Sequence, residues 1–229
     1  MAEGQRLVAE LKQSQMHIDE IFVTPSFLEG STEARRFASD LNTETTVIVV
    51  PEPLMAEMSD TVTPQGILAV FPIPKLEARA EDRLLVIPDG LRDPGNLGTL
   101  LRTAWAAGVT QVLLPPGTVD HTNPKVVRAG MGAHFHLPIQ RLEWQRIWQI
   151  VSSAQVWVAE ANRGPAHTQV DWTGDLALVI GGEAAGAGSR ARHEGDFVHI
   201  PMARGVESLN AAVAAAILLF EIARQRGSV

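Results

Sequence analysis

Apolar residues return at helical spacing near the start of the chain, where Leu7, Val8 and Leu11 predict a helix within residues 3–14, and a strand-like run follows at 18–23. Pro25 opens a second helical stretch that carries Phe37 and Leu41, and residues 45–50 are β-branched throughout. A short helical piece at 54–58 leads to GILAVF at 66–71, which reads as a strand. Alternation of this kind makes a small α/β module. Residues 72–82, PIPKLEARAED, hold two prolines among charges without periodicity, the pattern of an exposed linker. The expected division is therefore a small domain at 1–71 and a larger one at 83–229.

In the larger domain the alternation is plainer. Strands are expected at 84–88, 111–114, 155–159, 176–180 and 197–200, and helices at 97–107, 123–131, 143–152 and 206–225. Strands that are apolar throughout and separated by helices predict an α/β fold with a mostly parallel sheet covered by helices on both faces.

Composition narrows the chemistry. A chain of 229 residues, 45% hydrophobic and 20% charged, is of ordinary globular makeup and long enough for one catalytic-sized domain plus a small module. It contains no cysteine, which removes disulfides, thiolate metal sites and a thiol nucleophile. The longest apolar run, residues 211–220, is far shorter than the ~20 residues that span a bilayer, and the start MAEGQR has no apolar signal region, so a cytoplasmic protein is expected. The net charge of −7 argues against indiscriminate binding of polyanions over the whole surface, though not against a local site. Only Lys12, Lys75 and Lys125 of the 19 basic residues are lysines, the rest being arginines, which suit both phosphate recognition and ordinary surface ion pairs.

Three turns follow strands directly, where ligand crevices open in parallel sheets. In PDGLRDPGNLGTLLRTAWAAG, residues 88–108, Asp93, Pro94 and Gly95 form the turn and Asn96 is placed to cap a helix whose buried stripe is Leu97, Leu100, Leu101 and Ala104. Gly98 and Arg102 lie one turn apart, so a backbone or a ligand could come close beside the arginine; on spacing alone, however, a solvated surface residue is the favoured reading of Arg102. In LALVIGGEAAGAG, residues 176–188, a buried strand runs into Gly181, Gly182 and Glu183. This is neither GxGxxG nor a phosphate loop with its lysine, and Glu183 suits a cationic or hydroxyl-bearing ligand better than a phosphate. The third, HIPMARGVESLNAAVAAAILLFEIARQR at 199–226, passes an Arg204-Gly205 turn into a long helix that Ser208 could cap.

The ordered trio DPGNLGTLLRTAWAAG, VIGGEAAG and IPMARGVESLNAAVAAAI resembles the three motifs of the SpoU (TrmH-type) family of RNA ribose methyltransferases. DTVTPQGILAVF at 60–71 is similar to the end of that family's substrate-binding module, and VVRAGMGAHFHLPI at 126–139 to its middle segment, so the likeness spans nearly the whole chain. The resemblance implies a domain tied in a deep trefoil knot, S-adenosyl-L-methionine as cofactor, a homodimer, and methylation of a ribose 2′-hydroxyl in rRNA or tRNA. By the same carry-over, Gly181, Ile200, Met202 and Leu209 would contact the cofactor. Asn96, Arg102, Glu183, Ser208 and Asn210 would form the polar active site, with the arginine acting on a pocket shared across the dimer. Many members have glycine where Ala184 stands and serine where Gly130 stands, and most begin with a basic segment and strand ahead of Glu3-Gly4; the small domain is thus expected to lack its first strand and some RNA contacts.

The chemistry is consistent. A sulfonium donor carries an activated methyl group, so positioning and help for a poorly ionised alcohol are what the protein must add, with no metal required. The missing cysteines exclude methylation of a pyrimidine carbon through a thiol adduct. His121, His134 and His136 are possible bases, although histidines on strands and loops more often serve as structural hydrogen bonders. Two alternatives stay open: a catalytically silent RNA-binding assembly factor and a base-nitrogen RNA methyltransferase. A nucleotide-cofactor oxidoreductase would need a GxGxxG turn after the first strand, which is not there.

Overall fold

In the computed structural model, which describes residues 1–42, 45–78, 83–182 and 186–227, the chain divides into two compact units, Met1–Pro74 and Lys75–Val229. The expected linker at 72–82 lies partly outside the described residues.

The first unit runs β1 (Ala2–Glu3), α1 (Gln5–Gln13), β2 (Glu20–Val23), α2 (Pro25–Gly30), α3 (Thr32–Asn42), β3 (Val47–Val49), α4 (Glu52–Met58) and β4 (Ile67–Val70). Its sheet has the order β1-β4-β2-β3, with β2 and β3 parallel and β4 antiparallel to both its neighbours. Leu7, Val8 and Leu11 are the buried face of α1, as their spacing predicts. Two expectations are corrected. A first strand is present, since Ala2 and Glu3 pair with Ala69 and Leu68 at the sheet edge. The single helix expected after Pro25 is two, because Ser31 takes an extended backbone after Gly30 and its hydroxyl accepts the Ala34 N–H at 3.0 Å, so a cap restarts the helix.

The second unit runs β5 (Leu84–Asp89), α5 (Pro94–Ala106), β6 (Gln111–Leu114), α6 (Pro124–Gly130), β7 (Ile139–Arg141), α7 (Trp144–Val151), β8 (Gln155–Ala159), β9 (Leu176–Gly181), α8 (Ser189–Glu194), β10 (Asp196–Val198) and α9 (Ala211–Gln225). All six strands are parallel, in the order β10-β8-β9-β5-β6-β7. Alternate residues of β5 serve opposite faces: Leu84 and Val86 pack with α5 and α9, Leu85 and Ile87 with α7 and α8. β7 and α8 escape a reading of periodicity because three and six residues hold too few apolar repeats.

Two helix starts also differ from expectation. Asp93, not Asn96, caps α5: its carboxylate accepts the Asn96 N–H at 2.7 Å while Pro94 occupies the first helical position, so Asn96 lies in the first turn. The last helix begins at Ala211, capped by Asn210, whose Oδ1 accepts the N–H groups of Ala212 and Val213 at 2.9 and 3.3 Å; residues 206–209 stay outside it. Gly98 is explained by backbone rather than ligand. A Cβ there would lie 2.4 Å from the Ala129 Cβ and 2.7 Å from the Val126 carbonyl oxygen, so glycine is what lets α5 and α6 meet.

Candidate functional site

The carboxyl ends of β8, β9 and β10 and the segments that leave them enclose a cavity of about 250 Å³. Its floor is apolar, from Ile180, Val198, Ile200 and Leu218. Gly181 and Gly182 close β9, and neither tolerates a side chain. A Cβ on Gly181 would sit 2.1 Å from both Gly186 C and Ala187 N, and one on Gly182 would sit 2.3 Å from the Gly90 carbonyl oxygen. The chain thus returns against the strand end, and Gly182 and Gly186 form a bridge there. Buried Asp89, at the end of β5, anchors the returning segment by accepting the Gly188 N–H at 2.6 Å.

The cavity gathers Gly181, Ile200, Met202, Ser208 and Leu209, residues that the sequence presents in two separate motifs. Asn96 and Asn210 meet beside it: the Asn210 amide donates to Asn96 Oδ1 at 3.0 Å, and Asn210 stands between the cavity-lining Leu209 and Ala211. The hydrogen bond joins the first turn of α5 to the start of α9. Arg102 is exposed on α5 and is not among the residues that line the cavity. Glu183 and Ala184 lie outside the described residues.

None of the three histidines weighed as bases lines the cavity. His134 is buried and donates from Nε2 to the His121 carbonyl oxygen at 2.8 Å, and His136 stacks on Trp105 with ring centroids 4.5 Å apart. Burial pushes the His134 pKa down to about 4, so the ring is neutral at neutral pH. Among the described residues no group of three or more His, Asp or Glu could hold a metal ion. No helix of the structure is long and apolar enough to cross a membrane.

Two charged cavity residues carry no signal in the motifs: Glu160, directly after β8, and Arg192 on α8, paired Nε to Oε1 at 2.7 Å. A polar residue following an apolar strand was the only sequence cue for Glu160, and α8 itself was not foreseen.

A parallel α/β domain with its cavity at the carboxyl ends of the strands, joined in sequence to a separate small α/β unit, defines a two-unit protein that binds a small molecule in its larger unit. Within that class the chain belongs to the SpoU rRNA Methylase family, whose model matches residues 83–220. Residues 1–69 match the MRM3-like substrate binding domain. The chain is 33% identical to the 23S rRNA (guanosine(2553)-2'-O)-methyltransferase RlmP of Bacillus subtilis, over 97% of this chain and 87% of that one. It is 37% identical to the 23S rRNA (guanosine-2'-O-)-methyltransferase RlmB of Escherichia coli, over 74% and 75% of the two chains. Among solved structures it is similar to the SpoU methyltransferase AviRb from Streptomyces viridochromogenes in complex with AdoMet, with a TM-score of 0.87 and 28% identity over 99% of this chain and 89% of that one.

Proposed function

We propose that the protein transfers a methyl group from S-adenosylmethionine to a ribose 2′-hydroxyl of ribosomal RNA. The observation that carries this reading is the assembly of Gly181, Ile200, Met202 and Leu209 around one cavity, in a chain whose relatives are named as rRNA 2′-O-methyltransferases. The residues present fit the cofactor. An apolar floor suits adenine, and the glycine-rich strand end, where no side chain intrudes, and the polar rim suit the sugar and amino-acid portions. When bound there, the cofactor supplies an activated methyl on a sulfonium centre.

The chain's own side chains do the rest. Asn210, fixed by its cap and by Asn96, holds the edge of the cavity where the acceptor must enter. Arg102 brings a cation with a planar hydrogen-bonding fork, suited to a substrate phosphate and to charge growing on the 2′-oxygen. Glu183 and Ser208 complete the polar set in this reading. The small unit selects the RNA, and the protein works in the cytoplasm.

Two further features belong to the proposal. The larger unit is tied as a trefoil knot, a reading supported by the match of residues 83–220 to the SpoU rRNA Methylase family. The protein acts as a homodimer, which brings one protomer's Arg102 to its partner's cavity. Leu209, Val213, Ile217 and Phe220 support the dimer, since they leave 37, 48, 37 and 45% of their surface exposed along one side of α9 and its lead-in. Light scattering at micromolar concentration is expected to give twice the chain mass; a monomer mass refutes the shared site.

The function is tested by nucleoside digestion of ribosomal RNA from cells with and without the gene. One 2′-O-methylnucleoside is expected to disappear. Loss of a base-methylated nucleoside selects the base-nitrogen reading, and an unchanged digest selects the silent assembly factor. Calorimetry with S-adenosylhomocysteine is expected to show one site per chain.

A further inference from the structure

Among the described residues the cavity wall holds one ion pair, Glu160 with Arg192, and the cofactor-contact residues implied by the resemblance do not include it. Glu160 follows the last residue of β8, and its backbone N–H donates to the Val198 carbonyl oxygen at 3.0 Å, which fixes its place between β8 and β10. The carboxylate is mostly buried, at 15% exposure, and Oε1 accepts from Arg192 Nε at 2.7 Å. Both residues line the cavity, whose other described lining residues are apolar, glycine or neutral polar.

We propose that Glu160 is the residue that recognises the ribose of the cofactor, accepting hydrogen bonds from its vicinal 2′- and 3′-hydroxyls. The proposal rests on the reading of the cavity as a site for an adenosyl cofactor. An ionised carboxylate offers about four lone-pair positions, and the guanidinium bond occupies one of them, so acceptor capacity remains. The apolar floor formed by Ile180, Val198 and Leu218 is where a heterocyclic base loses water at least cost, which puts the attached sugar toward the polar part of the wall.

Charge decides between the donors a nucleoside-type ligand could offer. The α-ammonium of the methionine portion would be drawn to an unpaired carboxylate, but Arg192 already neutralises this one at 2.7 Å. What persists is acceptor strength, which favours uncharged hydroxyls. Two such groups on adjacent carbons match the two oxygens of one carboxylate, and each bond is charge-assisted. Arg192 acts through Glu160, holding the carboxylate in one rotamer.

The test is a calorimetric comparison of S-adenosylhomocysteine with its 2′,3′-dideoxy counterpart on the full-length wild-type protein and on Glu160→Gln and Glu160→Ala. The wild type is expected to bind the diol ligand at least roughly tenfold more tightly, since a hydrogen bond to a charged group commonly exceeds the value of a neutral one. That preference is expected to shrink in Glu160→Gln and to vanish in Glu160→Ala, while the dideoxy ligand binds all three proteins alike. A merely structural role would lower the affinity for both ligands together, and that result overturns the assignment. Equal binding of the two ligands by the wild type overturns it without any variant. Failure of the wild type to bind S-adenosylhomocysteine at all rejects the cofactor reading itself, a different outcome from loss of the diol preference.

Discussion

Arg102→Ala is expected to slow methyl transfer from bound cofactor to RNA by on the order of a hundredfold or more in a single turnover, the usual cost of losing one preorganised contact to developing charge. Arg102→Lys is expected to be nearly as slow, because lysine keeps the charge and loses the planar fork that meets a phosphate or an oxyanion in two directions. The reason lies in placement. The side chain is exposed on α5 and makes no part of its own cavity wall, so its removal is expected to leave the core and the cavity intact. Binding of S-adenosylhomocysteine and the mass in solution are accordingly expected to match the wild type. If Arg102→Ala transfers at the wild-type rate, the arginine is an ordinary surface residue and the shared site is wrong.

The second large effect is on stability. His134 is 6% exposed, and burial holds its pKa at about 4 against an ordinary 6.5. Above pH 6.5 the ring is neutral in both folded and unfolded chains and costs nothing. As the pH falls below 6.5 the unfolded chain takes up a proton that the folded chain refuses, so stability declines until the folded ring itself protonates near pH 4. The full difference is about 3 kcal/mol. Burial lowers the neighbouring His121 as well, with Asp120 opposing, so its contribution has the same sign. Urea unfolding of the wild type at about pH 7 and about pH 4 is expected to show this loss, and His134→Gln is expected to lose correspondingly less. An equal loss in the variant would place the acid sensitivity elsewhere.

These histidines also show where reading a sequence stops. His121, His134 and His136 are each chemically capable of acting as a base, and nothing in their spacing separates the buried ring bonded to a carbonyl from the exposed ring stacked on Trp105. Gly98 is a similar case. One turn before Arg102 it could admit a ligand or a neighbouring backbone, and only the approach of Ala129 and Val126 identifies the neighbour as α6. The residues that cap α5 and α9, Asp93 and Asn210, stand within one turn of others of equal capping quality, Asn96 and Ser208. Asp93 and Asn96 are both good capping types, and the choice is made by where the chain turns.

What the sequence determined by itself is what local interactions and composition determine. The alternation of apolar strands with amphipathic helices demands a sheet covered on both faces, and the order of the three motifs marks the family before any fold is seen. Absence of cysteine removed whole classes of chemistry without reference to shape. The tertiary structure alone decided how residues far apart in the chain share one cavity: Gly181 and Ile200 at two strand ends, and Glu160 with Arg192 on an unforeseen helix. It also decided that Asn96 and Asn210, 114 positions apart, would hydrogen-bond. Periodicity reports which face of an element is buried, but long-range pairing depends on the packing of whole elements, and that is encoded in no single segment.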